Sequence, residues 1–428
     1  SLNALVDFDV PFDILLHLMI GSEGTLGFIS EITYHTVVEH PCKASALMIF
    51  PHIENAAAAA AILRGQPVAA VELMDRASLR SVENKAGMPD CLKALSPQTA
   101  ALLVETRAYT AEELGEQIRT VTGSLRRVPS ERPIAFTDRA AEYTALWNIR
   151  KGLFPAVGAV REIGTTVIIE DVAFPVDRLA KATLHLQEIM GRFRYDEAII
   201  FGHALEGNLH FCFTQDFGPS AEVERYRRFM HDVCDMVVNA YDGSLKAEHG
   251  TGRNMAPYVE LEWGREATAV MQRIKAIFDP KGLLNPGVIL NADPRAHIEN
   301  LKPLPRANPI VDKCIECGFC EVNCPSRDLT LSPRQRIAVQ REIARLRAGC
   351  ENPDRLAELE RAYRYQGEQT CAADGLCAVA CPVDINTGEH TKELRRLGTR
   401  PAARQAAAAI ARHFGPAAAA VRAGLQAA

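Results

Sequence analysis

Residues 198–213 read Ala-Ile-Ile-Phe-Gly-His-Ala-Leu-Glu-Gly-Asn-Leu-His-Phe-Cys-Phe, with an apolar run on either side of Glu206-Gly207. Apolar runs of this kind, separated by two turn-forming residues, are typical of a β-hairpin. Pairing outward from the turn places His203 directly opposite His210, and opposed residues share one face of the ribbon. Two imidazoles in this arrangement can bind one metal ion. A purely structural histidine pair is the alternative.

The alternation of strand and helix patterns extends over residues 41–290. Short β-branched runs such as Val167-Ile168-Ile169 alternate with helical stretches at 221–240 and 265–278. The second helical stretch should end at Asp279-Pro280, because a residue that precedes proline avoids the helical conformation. This mixture of elements is typical of α/β and α+β proteins, and of the two we expect the α+β fold class.

A third potential metal ligand lies in the Gly-rich loop 246–253, which carries the carboxylate of Glu248 and the imidazole of His249. Two histidines, one glutamate and an open coordination position are the ligands of a catalytic zinc site. The candidate ligands are therefore His203, His210 and Glu248.

Seven of the 12 cysteines form two tight groups after residue 310, as expected for reduced thiols that bind metal. The first group, which precedes Pro325, has the bacterial ferredoxin spacing and consists of Cys314, Cys317, Cys320 and Cys324. The second group has the same spacing with a carboxylate in one place, and consists of Cys371, Asp374, Cys377 and Cys381.

In ferredoxins of this spacing the fourth cysteine of each group binds the other cluster. The first predicted cluster is then bound by Cys314, Cys317, Cys320 and Cys381. The ligands of the second are Cys324, Cys371, Cys377 and, at the remaining corner, Asp374. The second cluster is either 4Fe-4S with an oxygen ligand or 3Fe-4S. Zinc knuckles are the alternative to iron–sulfur clusters, but zinc sites favour two cysteine pairs separated by a spacer.

The composition excludes several classes of protein. The chain has 428 residues, of which 47% are hydrophobic and 24% charged, as in globular proteins of about three domains. A net charge of −5 argues against nucleic-acid binding. No apolar run approaches the ~20 residues of a transmembrane helix. Since the first methionine is Met19, we expect a fragment of a longer polypeptide.

Three segments organise the C-terminal third. Proline-rich residues 291–312 predict a linker. Ser332-Pro333-Arg334-Gln335 is a capping box with proline at the first helical position, and it predicts a helix over 333–349. The Ala-rich tail 399–428 predicts a C-terminal helix, either a connecting helix or an amphipathic helix on a membrane surface.

Together these features resemble the FAD-linked oxidases of the vanillyl-alcohol oxidase/p-cresol methylhydroxylase superfamily. Residues 1–40 are similar to the end of the FAD-binding domain, 41–290 to the C-terminal substrate domain, and 313–398 to an all-α ferredoxin-like two-cluster domain. The resemblance is carried by the motifs Gly21–Ile29, Glu72-Leu73-Met74-Asp75, Leu146-Trp147-Asn148-Ile149-Arg150, Glu170-Asp171, the His203/His210 hairpin, Glu248-His249-Gly250 and Asn285-Pro286-Gly287. Such fusions include D-lactate dehydrogenase-like and D-2-hydroxyglutarate dehydrogenase types.

The resemblance implies FAD, two iron–sulfur clusters and Zn²⁺ as cofactors. It implies that the zinc ion chelates the substrate hydroxyl and carboxylate and lowers the pKa of that hydroxyl. Such proteins carry upstream the loop that holds the FAD pyrophosphate, so we expect this chain alone to bind FAD weakly or not at all. The residues implied to lie near FAD are Gly21, Ser22, Gly24, Thr25, Leu26, Gly27 and Asn285, the last of which is otherwise a turn residue before Pro286.

Catalytic roles are implied for His249 and Arg150. His249 is the candidate general base, with hydrogen-bonding support of the site as the alternative. Arg150 would bind a substrate carboxylate bidentately, with an ordinary surface cation as the alternative. Hydride would pass to the flavin, and electrons would leave singly through the clusters to a quinone or an electron-transfer protein.

The implied substrate is a small D-2-hydroxy acid, with D-2-hydroxyglutarate as first choice and D-lactate as second. Single-domain D-2-hydroxyglutarate dehydrogenases have polar pocket residues where this chain has Phe154, Ile169 and Cys212, so the groups that read the distal carboxylate are not carried over. The alternatives are a non-catalytic electron-transfer or interaction module and a D-lactate/glycolate-type oxidase. We expect a cytoplasmic protein, either free or peripheral at the inner membrane.

Overall fold

A computed structural model of the protein describes residues 2–85 and 88–427. The chain divides into two units, Ser1–Pro303 and Leu304–Ala428. The division falls within the proline-rich segment 291–312. The first unit combines an antiparallel sheet with helices, and the second is helical, in agreement with the predicted α+β class.

The first unit is built on a six-stranded antiparallel sheet with the strand order β1-β3-β2-β5-β6-β4. Its strands are β1 (Cys42–Phe50), β2 (Ala70–Met74), β3 (Ala100–Ala108), β4 (Thr166–Ala173), β5 (Ile199–His203) and β6 (Asn208–Gln215). Strands such as β3 are apolar at successive positions because both faces of the sheet are buried.

Helices cover both faces of this sheet. One core, which includes Leu73, Ile200 and Phe211, packs against α3, α5, α8 and α9. The opposite core, which includes Met74 and Phe201, packs against α4, α6 and α7. The helices of the unit are α1 (Ala4–Asp7), α2 (Pro11–Met19), α3 (Ile53–Leu63), α4 (Arg76–Val82), α5 (Ala111–Ser124), α6 (Ala140–Lys151), α7 (Leu153–Val160), α8 (Leu179–Arg192), α9 (Ser220–Asp235) and α10 (Val259–Phe278).

The predicted hairpin forms between β5 and β6, but its predicted register is wrong by two residues. Phe201, not His203, pairs with His210. The turn is longer than two residues because its backbone bonds to neighbouring segments: the Ala204 N–H donates to Val71, and the Gly207 carbonyl accepts from Phe174. A shift of two keeps every side chain on its face. The two histidine rings therefore still meet, with centroids 5.2 Å apart.

The stretch Phe28–Val38 is rich in β-branched and aromatic residues and therefore predicts a strand, but this prediction is wrong. Residues 28–40 have no regular secondary structure, and Phe28 and Val37 are 88% and 92% exposed. A segment becomes a strand only when a neighbour satisfies its backbone hydrogen bonds. No described residue pairs with this segment in a sheet.

In the second unit, the helix predicted over 333–349 is confirmed. The Ser332 hydroxyl accepts from the Gln335 N–H, and the Gln335 side chain accepts from the Ser332 N–H, which completes the capping box. The Ala-rich tail forms two exposed helices where one was predicted. The helices of this unit are α11 (Pro333–Gly349), α12 (Pro353–Tyr363), α13 (Leu376–Val379), α14 (Thr387–Gly398), α15 (Pro401–Arg412) and α16 (Phe414–Ala427).

Across the described residues, every helix is too short or too polar to cross a membrane.

Candidate functional site

The three predicted metal ligands lie together beside the sheet. His203 ends β5, His210 lies in β6, and Glu248 lies in the loop that follows Lys246. The Glu248 Oε1 atom is 3.2 Å from His203 Nε2 and 2.9 Å from His210 Nε2. One potential ligand atom from each residue lies within 4.8 Å of the other two, so a single ion can be bound by all three.

Glu72 fixes the orientation of His203. It lies opposite His203 on the neighbouring strand β2, and its Oε1 accepts from His203 Nδ1 at 2.6 Å. This bond leaves Nε2 facing Glu248. Burial alone would raise the pKa of Glu72, but His203 and Arg150 together hold it below its ordinary value. In return, the hydrogen bond to Glu72 raises the pKa of His203.

Arg150 lies in the last turn of α6, directed at the same carboxylate. Its Nε donates to Glu72 Oε2 at 2.7 Å, and its guanidinium carbon lies 4.3 Å from the centroid of the Phe201 ring. The side chain is 18% exposed, so it is not the ordinary surface cation that was the alternative interpretation. Its role toward a substrate stays a prediction.

His210 is buried and electrically neutral near pH 7. Burial, followed by the nearby Arg150, lowers the pKa of His210 to about 4. The His249 ring stacks on it, with centroids 4.8 Å apart and an interplanar angle of 17°. A neutral imidazole is the form that binds a metal ion.

Asp171 shapes the loop that carries Glu248 and His249. This fully buried carboxylate pairs with His210 in the strand register, and its Oδ2 accepts from the backbone N–H groups of Ala247, Glu248 and His249 at 3.0, 2.7 and 3.3 Å. Burial would raise the pKa of Asp171, but the N–H groups of Glu248 and His249 and the Lys246 ammonium lower it. Its Oδ1 lies 3.6 Å from His249 Nδ1.

The local sequence pattern gives no role to Glu72 or Asp171, which are only parts of motifs that resemble a family. The signal that could have found them is a carboxylate within an otherwise apolar strand, because a buried charge needs a partner. Which partner it has depends on strand order, and strand order was not predicted.

The Gly-rich loop 21–27 is attached to two other loops of the first unit. The Glu23 carboxylate accepts from the N–H groups of Thr251 and Gly252 at 2.7 and 2.8 Å, and the Glu23 carbonyl accepts from Asn285 Nδ2 at 2.6 Å. Gly24 has a φ of +71°, in the left-handed region that favours glycine. Gly27 is the last residue of the loop.

Beside this loop lies an open pocket, lined by Gly21, Ser22, Thr25 and Leu26 and by apolar side chains of α10. The cation in its lining, Lys275, is already bonded to Asp279 and to two carbonyl groups. The lining therefore fits part of an aromatic ring system better than a diphosphate. The assignment of these residues to FAD stays a prediction.

The cysteines gather around two cavities in the second unit. The first, of about 360 Å³, is lined by Cys314, Cys317, Cys320 and Cys381, with Cys377 also at its wall. The second, of about 260 Å³, is lined by Cys324, Cys371, Cys377 and Asp374. These are the two groupings expected from crossed ligation.

The surroundings of the sulfur atoms fit iron–sulfur clusters. Backbone N–H groups of Glu316 and Ile385 donate to the Sγ atoms of Cys314 and Cys381 at 3.3 and 3.2 Å, as they do to cluster thiolates. Burial raises the pKa of Cys320 to about 12, so this thiol keeps its proton near pH 7 until a metal ion displaces it. Asp374 is exposed, and its Oδ1 accepts from the Leu376 N–H.

Comparison with known proteins agrees with both units. Residues 40–289 match the family model of FAD linked oxidases, C-terminal domain, and residues 310–385 match that of the 4Fe-4S dicluster domain. The chain is 29% identical to the glycolate oxidase subunit GlcD of Bacillus subtilis, over 66% of this chain and 58% of that protein. It is 32% identical to the mitochondrial D-lactate dehydrogenase [cytochrome] of Arabidopsis thaliana, over 64% of this chain and 47% of that protein.

The chain thus spans about half the length of the curated relatives it matches. Among solved structures, a 4-ethylphenol oxidase from Gulosibacter chungangensis matches with a TM-score of 0.43 and 14% identity, over 60% of this chain and 55% of that chain. The longer of the two family matches covers more than half of the sequence. The chain therefore belongs to the family of FAD-linked oxidases, and a 4Fe-4S dicluster domain follows its oxidase domain.

Proposed function

We propose that this protein is part of an FAD-dependent dehydrogenase that oxidises a D-2-hydroxy acid to the 2-oxo acid and passes the electrons through two iron–sulfur clusters. The observation that carries the proposal is the meeting of His203, His210 and Glu248 with Arg150 and His249 at one place. Relatives named D-lactate dehydrogenase and glycolate oxidase support a 2-hydroxy acid as substrate.

Zn²⁺ is the metal that this ligand set fits best. Two imidazoles and one carboxylate are a catalytic zinc set, and the low pKa of His210 keeps one imidazole ready to bind a cation. When bound, zinc would lower the pKa of a coordinated hydroxyl group. Glu72 holds the ring of His203 so that Nε2 is the nitrogen available to the metal.

His249 is the group proposed to take the hydroxyl proton. Asp171 lies behind Nδ1, so that Nε2 is the nitrogen on the side of Glu248, 3.8 Å from its carboxylate. A carboxylate behind one ring nitrogen stabilises the imidazolium that forms when the other nitrogen accepts a proton.

Arg150 is the group proposed to bind the substrate carboxylate. In the described part of the chain its bond to Glu72 uses Nε alone, so the two terminal nitrogens can still donate to a planar anion. When bound, FAD would supply the hydride acceptor, and we assign Gly21, Ser22, Gly24, Thr25, Leu26, Gly27 and Asn285 to its surroundings.

The electron outlet is assigned to the second unit. The first cavity would hold a 4Fe-4S cluster on four thiolates, and the second would hold a cluster with three thiolates and Asp374 at the exposed corner. An electron acceptor, either a quinone or an electron-transfer protein, would then take the electrons one at a time.

The choice between D-2-hydroxyglutarate and D-lactate depends on the pocket beyond Arg150. Phe154, Ile169 and Cys212 all pack in the apolar core on this face of the sheet. An apolar surface there favours a substrate without a second carboxylate. This observation favours D-lactate as the substrate, whereas the resemblance to the fusion proteins favours D-2-hydroxyglutarate.

The test is anaerobic reduction of the flavin by a panel of D-2-hydroxy acids, with the protein purified from its own host. We expect at least one of D-lactate, glycolate and D-2-hydroxyglutarate to bleach the flavin, and removal of zinc by a chelator to stop the reaction. If the protein contains iron without zinc and no hydroxy acid reduces the flavin, the non-catalytic electron-transfer module is the correct interpretation. Rapid reoxidation of the flavin by oxygen would instead indicate an oxidase.

A further inference from the structure

Arg336 is a buried cation beside the second cysteine cavity. It lies in the first turn of α11 and is 2% exposed. Its Nε donates to the Gly367 carbonyl at 2.7 Å, and its Nη1 lies 3.6 Å from the Sγ atom of Cys324. Its Nη2 has no hydrogen-bond partner among the described residues. The guanidinium lines the cavity together with Cys324, Cys371 and Asp374.

A guanidinium with this degree of burial needs a negative partner, because an unpaired charge away from water is strongly unfavourable. Within the described residues no carboxylate forms an ion pair with Arg336. The negative charge near Arg336 is that of the cysteine sulfurs and of the metal centre that they would bind. The Nη2 group, which has no partner among the described residues, can donate to that centre.

Among the described residues, the cations near the first cavity are paired with carboxylates. Arg341, one and a half turns further along α11, donates from Nη1 to the Glu316 carboxylate and from Nη2 to the carbonyls of Asp312 and Cys314. Arg334, which lines the first cavity, is paired with Glu321. Both charges are therefore balanced by carboxylates, whereas the charge of Arg336 is directed at sulfur.

We propose that Arg336 raises the reduction potential of the iron–sulfur cluster bound in the second cavity, a proposal that rests on the cluster assignment of the proposed function. One-electron reduction adds a negative charge to a cluster. A hydrogen bond to a ligand sulfur and a nearby positive charge both stabilise the reduced form. Arg336 supplies the hydrogen bond through Nη1 and the positive charge through its guanidinium. Both act on the second cluster, because Arg336 lines the second cavity.

The experiment is a redox titration with dithionite, followed by electron paramagnetic resonance, on the holoprotein and its variants. Arg336→Gln and Arg336→Met remove the charge, and Arg336→Lys keeps it. Arg345→Gln is the matched control, since Arg345 lies on the same helix but pairs with Glu342 and Glu351 at the surface. The signal of the second cluster is identified by Asp374→Cys, which alters that cavity alone.

At fixed potential, we expect the ratio of reduced to oxidised second cluster to fall at least tenfold in Arg336→Gln and Arg336→Met, which is a shift of about 59 mV for a one-electron couple. In Arg336→Lys this ratio should fall by less. The ratio for the first cluster should stay the same in every variant, and neither ratio should change in Arg345→Gln. Equal shifts in both clusters, or none in the second, would overturn the proposal. So would loss of the second cluster in all three Arg336 variants, because Arg336 would then serve assembly. A wild-type protein without clusters would instead overturn the proposed function itself.

Discussion

The carboxylate of Glu72 lies 2.6 Å from the Nδ1 atom of His203, across the neighbouring strands β2 and β5. A carboxylate behind a ligand histidine fixes the ring and increases its affinity for metal, and its loss typically weakens metal binding by about 10–100-fold. We therefore expect Glu72→Gln to bind zinc about 10–100-fold more weakly than the wild type, as measured by competition with a chromophoric chelator. Glu105→Gln is the matched control, because Glu105 is a buried carboxylate bonded to Trp147 and Ser45, away from the ligand set. Equal zinc affinities in the wild type and Glu72→Gln would contradict the ligand assignment.

His210 should make the metal-free protein sensitive to acid. Its pKa is lowered to about 4, against about 6.5 in an unfolded chain. Between these values the unfolded state takes up a proton that the folded state does not. The contribution to stability is thus fully present above pH 6.5 and is lost as the pH falls toward 4.

The loss from this group amounts to about 2 kcal/mol at pH 5. Denaturant unfolding at pH 7 and pH 5, in the presence of a chelator, measures it. In His210→Gln the difference between the two pH values should shrink by that amount. The raised pKa of His203 acts in the opposite sense, and its main cause, the hydrogen bond to Glu72, is present in both proteins. An unchanged difference would mean that His210 is not buried in its neutral form.

His249 should be needed for the chemistry and not for the clusters. Loss of a general base costs about 10²–10⁴-fold in rate. We expect His249→Ala to lower the rate of flavin reduction by the hydroxy acid within that range while the cluster absorbance stays the same. His231→Ala, a change of an exposed histidine on α9, should leave the rate as it is. Retained reduction in His249→Ala would assign His249 to hydrogen-bonding support of the site.

Asp374 should make one corner of the second cluster easy to lose. The residue is exposed, and its carboxylate bonds to the Leu376 N–H. We expect Asp374→Cys to slow the release of iron to a coloured chelator at least severalfold, because a thiolate binds iron more firmly than an exposed carboxylate. Asp354→Cys, which adds a thiol at an exposed aspartate of α12, should release iron at the wild-type rate. Equal rates in the wild type and Asp374→Cys would show that position 374 does not contact the cluster.

The sequence predicted those features that depend on local spacing. The hairpin and the capping box of α11 follow from residues a few positions apart, whereas the two cysteine groupings were expected from the crossed ligation of ferredoxins with the same spacing. The metal set could also be proposed, because a register error of two residues leaves His203 and His210 on one face.

What could not be predicted depends on contacts between distant residues. Glu72 reaches His203 only because β2 lies next to β5 in the sheet, with the two residues 131 positions apart in the chain. The segment Phe28–Val38 has the composition of a strand, but no described strand lies beside it. Strand composition indicates that a segment can pair, and the rest of the fold determines with which partner.

The three backbone N–H groups bound by the Asp171 carboxylate also set how the loop can move. A backbone held at successive residues by one buried carboxylate moves as a unit, so a shift of the main chain carries Glu248 and His249 together. A main-chain motion of this loop would therefore displace the proposed metal ligand and the proposed base at the same time, with the same buried carboxylate as the pivot.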